Sequence, residues 1–190
     1  VAVDLDDVVV DFIVGLQRSH LIEFGHELPI EGTWTTPLGQ LQTPGLKAAG
    51  YKSVWAWLKD REWLWAQFDA VPGAIGGVAA LRARGHYVEA VTSKPGWAEH
   101  NVWKWLGKWR PPFNRVTIVG PKDRKVDKTE ADAIIDDKLE TCIDFNRDTR
   151  MALWFNRGTS TLEQEEYLNP YLLRCKGWDD VLTRTEGWQV

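Results

Sequence analysis

The apolar positions of this chain alternate between two rhythms. Short, mostly apolar runs at residues 1–5, 87–92, 115–119, 131–135 and 151–155 read as strands buried on both faces. Between them the apolar residues recur at helical spacing. Phe12, Ile13, Leu16, Leu21 and Phe24 mark a helix over residues 8–24. Ile75, Val78 and Leu81 mark another that opens at Pro72-Gly73 and stops at Gly85. Further helices are expected over residues 98–106, 138–146 and 178–185. Strands alternating with helices of about 10 residues imply βαβ units, hence an α/β fold with a parallel sheet and helices on both faces. Residues 25–69 break the alternation. Residues 27–50 are rich in Gly, Pro and Thr and read as loops, whereas 54–68 read as a helix carrying Trp55, Trp57, Trp63 and Trp65. Residues 1–24 and 70–190 are therefore expected to form a core domain, with 25–69 a small helical insert over the sheet edge.

Composition narrows the function. A net charge of −4 argues against a partner that is polymeric nucleic acid, which calls for a basic face. No apolar run approaches the roughly 20 residues that span a bilayer, so no membrane partner is expected. Cys142 and Cys175 lack the number and spacing of a disulfide framework or a zinc site, and read as thiols of a reducing, cytoplasmic compartment. Twelve tryptophans exceed what a core of this size requires and leave rings for an aromatic pocket.

Ligands of open parallel sheets bind outside the carboxyl ends of the strands. Three predicted strands end in reactive residues there: Asp4-Leu5-Asp6-Asp7, Thr92-Ser93 and Asp136-Asp137. Residues two apart on a strand share a side, so Asp4 and Asp6 are expected to aim into one crevice. Several converging carboxylates repel one another unless protons or a cation compensate. Oxygen-only ligands favour a hard ion, Mg²⁺ before Ca²⁺ or zinc. An Asp that follows a strand also serves as a helix N-cap, a role open to Asp7 and Asp137. His20 shares the helix face of Phe12, Leu16 and Phe24 and reads as an interior histidine.

These strand ends carry a family resemblance. Val1-Ala2-Val3-Asp4-Leu5-Asp6-Asp7-Val8-Val9 resembles motif I of the haloacid dehalogenase (HAD) superfamily, and Val91-Thr92-Ser93 resembles motif II. A lysine of Lys122-Asp123-Arg124-Lys125 fills motif III, and Ile134-Ile135-Asp136-Asp137 resembles motif IV. Within the superfamily the chain is similar to the 5'(3')-deoxyribonucleotidases. Val8-Val9-Val10-Asp11-Phe12, Pro72-Gly73-Ala74 and Thr92-Ser93-Lys94-Pro95 carry that likeness, while Asp7 stands where that subfamily has Gly. The resemblance implies a HAD-like Rossmannoid sheet with a helical cap inserted after the first strand and helix.

It also implies a mechanism. Asp4 is the expected nucleophile, forming an aspartyl-phosphate, and Asp6 the acid and base, kept protonated by neighbouring acids. Thr92 and Ser93 would bind phosphate together with Lys125 or, alternatively, Lys122. Mg²⁺ would be held by Asp4, by Asp6 through its carbonyl, and by Asp136, with Asp137 as alternative or outer partner. The expected substrate is a small phosphate ester, a (deoxy)nucleoside monophosphate, its base bound by Phe12, Trp34 and Trp57, with Trp55 competing for the last position. A homodimer is compatible with this reading. The alternatives are a sugar phosphate or a nucleic-acid terminal phosphate as substrate, or a non-catalytic nucleotide-binding module on the same fold.

Overall fold

The computed structural model describes residues 1–29, 38–157 and 169–188. Six parallel strands form one sheet: β1 (Ala2–Val3), β2 (Glu89–Ser93), β3 (Arg115–Val119), β4 (Ala133–Asp136), β5 (Met151–Phe155) and β6 (Leu172–Cys175). Their spatial order is β3-β2-β1-β4-β5-β6. The order reverses between β1 and β4, and a doubly wound sheet opens its ligand crevice at that switch point.

Alternate residues feed two separate apolar clusters, as the pleat requires. Ala2, Val91, Ile134, Ala152 and Trp154 pack with Leu139, Cys142 and Phe145 of helix α7 (Leu139–Arg147). Val3, Ala90, Ile135, Leu153 and Phe155 pack on the other face with α1 (Phe12–Phe24), α5 (Ala74–Ala83) and α8 (Trp178–Arg184). Each fully buried large side chain contributes about 1.5–3 kcal/mol.

Among the described residues between α1 and α5 are three short helices, α2 (Pro44–Ala48), α3 (Val54–Asp60) and α4 (Leu64–Gln67). Their Leu46, Trp57, Leu58 and Trp65 belong to the same apolar cluster as Val3. Helix α6 (Glu99–Trp109) follows β2 and packs against α4, and the Trp105 indole donates to the Phe68 carbonyl at 2.9 Å. Among the described residues no helix is long and apolar enough to cross a membrane.

Several elements depart from the sequence reading. Helix α1 starts at Phe12, not residue 8, because Val8–Val10 is a β-branched run that resists helix, and Val10 bridges to Asp6 and Ala70 instead. Helix α2 occupies a stretch read as loop. Its Pro44 sits at the first helical position, where a missing N–H costs nothing, and Thr43 Oγ1 caps it by accepting from Leu46 N–H at 3.2 Å. The helix expected over residues 54–68 is two, broken at Arg61–Trp63. Strand β6 was not predicted, since four residues at a sheet edge show too little pattern.

Candidate active site

Strand register builds the first half of the site. Ala2 pairs with Ile134 across β1 and β4, so two residues further on Asp4 comes level with Asp136. The Asp4 N–H donates to the Ile135 carbonyl at 2.9 Å, which carries the pairing past the end of β1. Lys125, on a 3-10 turn over Lys125–Lys128, enters between the two carboxylates. Its Nζ lies 2.9 Å from Asp4 Oδ2 and 2.6 Å from Asp136 Oδ2. The remaining oxygens are held by main chain: Leu5 N–H donates to Asp4 Oδ1 at 2.7 Å, and Lys138 N–H to Asp136 Oδ1 at 2.9 Å. Of the two lysines left open by sequence, Lys125 reaches the carboxylates and Lys122 stays exposed on the preceding loop.

Asp4, Asp136 and Asp137 each offer a carboxylate oxygen within 4.8 Å of the others. Their charges are unequal. Burial disfavours the Asp4 anion, but the Lys125, Lys138 and Lys94 ammonium groups together hold its pKa below the ordinary value. At Asp136 burial wins over Lys125, Asp4 adds repulsion, and the pKa is raised. Asp137 is pushed up well above the usual carboxylate range by burial and by the charges of Asp136, Asp4 and Asp7. Its Oδ1 is closed off from solvent without a hydrogen-bond partner. Three hard oxygen donors, one orphaned and all crowded by like charge, fit a divalent cation such as Mg²⁺.

Asp6 belongs to a different cluster, which corrects the expectation that it shares a strand face with Asp4. Strand β1 ends at Val3. Asp6 sits in the turn beyond it, and its carboxylate is not one of the three grouped oxygens. Its Oδ2 is ion-paired to Lys94, Oδ1 accepts from Trp65 Nε1–H at 3.3 Å, and its charge is felt by Asp7. Lys94 is buried, with its ammonium 4.5 Å from the Trp65 ring centroid and 5.9 Å from that of Phe12. Sequence reasoning passed over Lys94. The available signal was its place directly after Thr92-Ser93, at a strand end.

Thr92 is fully buried, and its hydroxyl has no hydrogen-bond partner among the described residues. The Ser93 hydroxyl is engaged, donating to the Gly120 carbonyl at 3.2 Å. Beside them opens a cavity of about 220 Å³ lined by Ser93, Arg124, Lys125, Lys138 and Thr141 among others. Asp7, at φ 57°, takes the left-handed conformation that suits the Gly it replaces. It caps α1: Oδ1 accepts from Ile13 N–H at 2.9 Å. Burial above all pushes its pKa up to about 7, and the charges of Asp6 and Asp11 add to that.

The aromatic residues sort differently from expectation. Phe12 is buried and stacks on Trp65 at 5.2 Å, and Trp65 meets Trp97 at 5.6 Å. Trp55 stands edge-on to both tryptophans at 5.8 Å and keeps part of its surface open. Trp57 does not join this wall. It is fully buried beside His20 and Phe24, and its indole donates to Glu23 Oε2 at 3.0 Å, so it packs the insert against α1. Trp34 lies outside the described residues. His20 is the interior histidine expected, with its ring nitrogens bonded to the His26 carbonyl and the Thr43 hydroxyl.

No family model matches the chain, and no curated protein matches it in sequence. Solved structures do match over nearly the whole length. The HAD hydrolase YfnB from Bacillus subtilis, a structure bound to magnesium, is similar with TM-score 0.65 at 15% identity, covering 96% of each chain. A HAD phosphatase from Thermococcus onnurineus is similar with TM-score 0.60 at 15% identity, over 100% of this chain and 98% of that one. A D,D-heptose 1,7-bisphosphate phosphatase from Burkholderia thailandensis gives TM-score 0.54 at 12% identity, over 98% and 97%. The chain has the fold of the HAD-like hydrolases.

Proposed function

We propose that this protein is a Mg²⁺-dependent phosphomonoester hydrolase that works through an aspartyl-phosphate, acting on (deoxy)nucleoside monophosphates as a 5'(3')-deoxyribonucleotidase does. The observation that carries it is Lys125 wedged between Asp4 and Asp136 at the sheet's switch point, with Asp137 completing a set of oxygen donors. The magnesium in the YfnB structure supports the choice of ion.

Asp4, Asp136 and Asp137 would hold Mg²⁺, which when bound offsets the negative charge that an anionic nucleophile meets at a phosphate. An Asp4 carboxylate oxygen attacks phosphorus as the ester P–O bond breaks. Asp6 passes the proton of the monoanionic ester to the leaving alcohol, then takes one from the water that attacks the aspartyl-phosphate and yields it to the released phosphate. Lys125 has three N–H donors and spends two on carboxylates, which leaves one for a phosphate oxygen. The orphan Thr92 hydroxyl supplies another donor to the same group. Residues 25–69 act as the cap, with Trp55, Trp65 and Trp97 as the wall beside the leaving group.

The Asp4→Asn variant tests this reading. It should fold as the parent does and release no phosphate from dTMP, a loss of at least about 10³-fold, since the covalent route is closed. Turnover at the parental rate would refute the mechanism.

A second reading follows from the burial of Phe12. Its ring is covered by Trp65 and Phe68, which favours a smaller, polar leaving group such as a sugar. A panel of nucleotides and sugar phosphates, assayed with Mg²⁺ and then with chelator, separates the two.

A further inference from the structure

Asp6 is gripped by Trp65 and by Lys94, a group that the chemistry above does not use. Lys94 Nζ is ion-paired to Asp6 Oδ2, and the two side chains are 1% and 23% exposed. A buried ammonium needs a paired charge, and among the described residues Asp6 is the carboxylate in contact with Lys94. Lys125, by contrast, divides itself between two. The Trp65 ring packs against the Lys94 ammonium while its N–H reaches Asp6 Oδ1, so one indole fixes both members of the pair. Beside them lies a cavity of about 10 Å³ lined by Asp6, Lys94, Trp65, Asn101 and Trp105, room for about one water. Asn101 is fully buried there with both amide atoms lacking a protein partner. The walls also include the apolar side chains of Leu5, Val10 and Val102.

We infer that Lys94 is a positioning residue for Asp6, holding Oδ2 so that Oδ1 is the oxygen that exchanges protons with the ester. The inference rests on the reading of Asp6 as the acid. As the P–O bond breaks, Asp6, a carboxylate against Lys94, takes the proton that the monoanionic ester carries and passes it to the leaving oxygen, so it remains a carboxylate. In the second half Asp6 takes a proton from the attacking water as its oxygen bonds to phosphorus and gives it up to the released phosphate. Lys94 keeps its own proton throughout.

The test is the dependence on leaving group. An alkyl phosphate that the parent turns over, dTMP or a sugar phosphate, needs the proton from Asp6, whereas p-nitrophenyl phosphate does not. General acid catalysis contributes about 10²–10⁴-fold, so Lys94→Met should lower kcat on the alkyl ester by about 10²-fold with KM little changed. The loss on p-nitrophenyl phosphate should be no more than about threefold on the same grounds. Lys94→Cys alkylated with 2-bromoethylamine, compared with its unmodified thiol form, should regain the alkyl ester activity. That comparison also serves if the Met variant does not fold. Equal losses on both esters, or an alkyl-to-aryl ratio unmoved by aminoethylation, would overturn the inference. A parent inactive on every ester would overturn the phosphatase reading itself, and this inference with it.

Discussion

Replacing Lys125 with Met removes the one cation held between Asp4 and Asp136. The three side chains are 5%, 4% and 0% exposed, so solvent screens little of what is lost. Breaking a buried ion pair by deleting one partner costs about 3–5 kcal/mol. For a chain of this length each kcal/mol moves the melting temperature by about 2–4 °C, so Lys125→Met should melt on the order of 10 °C below the parent at pH 8. The deficit should depend on pH. In the parent the folded pKa of Asp4 is lowered, a contribution present above the unfolded value of about 3.9 and lost as pH falls through the folded one. Without Lys125, burial and mutual repulsion leave both carboxylates with raised folded pKa values. Their contribution then favours the fold at low pH and is lost as pH rises through those values. The gap between parent and variant is therefore widest at pH 8 and narrows towards pH 4. Scanning calorimetry across that range, in chelator, measures it. A variant melting within about 1 °C of the parent at pH 8, or a gap that does not change with pH, would refute the account of Lys125 as a charge clamp.

Asp137→Asn should raise the melting temperature in chelator at pH 8, because the raised pKa of Asp137 marks a carboxylate held charged at a cost. The same variant should lose most of the stabilisation that Mg²⁺ gives the parent, read as a thermal shift on titrating the ion. Trp55→Ala should raise KM for dTMP by about tenfold, in line with roughly 1–3 kcal/mol per stacked base, while Trp57→Phe leaves KM unchanged and lowers the melting temperature. Gly77→Ala tests the packing of α5 on α8. A Cβ there would stand 2.1 Å from the Trp178 ring, so chemical denaturation should show a loss of about 1–3 kcal/mol.

The placement of Asp4, Thr92 and Asp136 at the strand ends was legible because it follows from local pattern: an apolar run that ends in one of them states both the strand and the edge it reaches. Which lysine enters was not. Lys122 and Lys125 lie on one basic stretch, and only the 3-10 turn at Lys125–Lys128 turns one inward. Lys94 was hidden for the opposite reason, since nothing in a lysine's neighbours along the chain announces burial when its partners, Asp6 and Trp65, come from 88 and 29 positions away. Asp7 was readable as a cap but not as a left-handed residue. The tryptophans could be counted but not assigned, because Trp55 and Trp57 lie two residues and about 200° apart around a helix that only packing orients. Helix α2 was lost to composition, where Pro and Gly spoke for a loop and the Thr43 cap spoke for a helix.

The two apolar clusters on either side of the sheet have a consequence for how β4 finds its place. Ile134 faces one cluster and Ile135 the other, so a slip of one residue against β1 would merely exchange two isoleucines. Hydrophobic patterning, which pins strands that have one wet face, is nearly silent here. What a slip cannot preserve is the meeting of Asp136 with Asp4 around Lys125, since it would carry the carboxylate to the far side of the sheet. The charges of the proposed site thus also act as an alignment key for the central strand pair. Variants that neutralise them should show misregistered β4 as well as lost turnover.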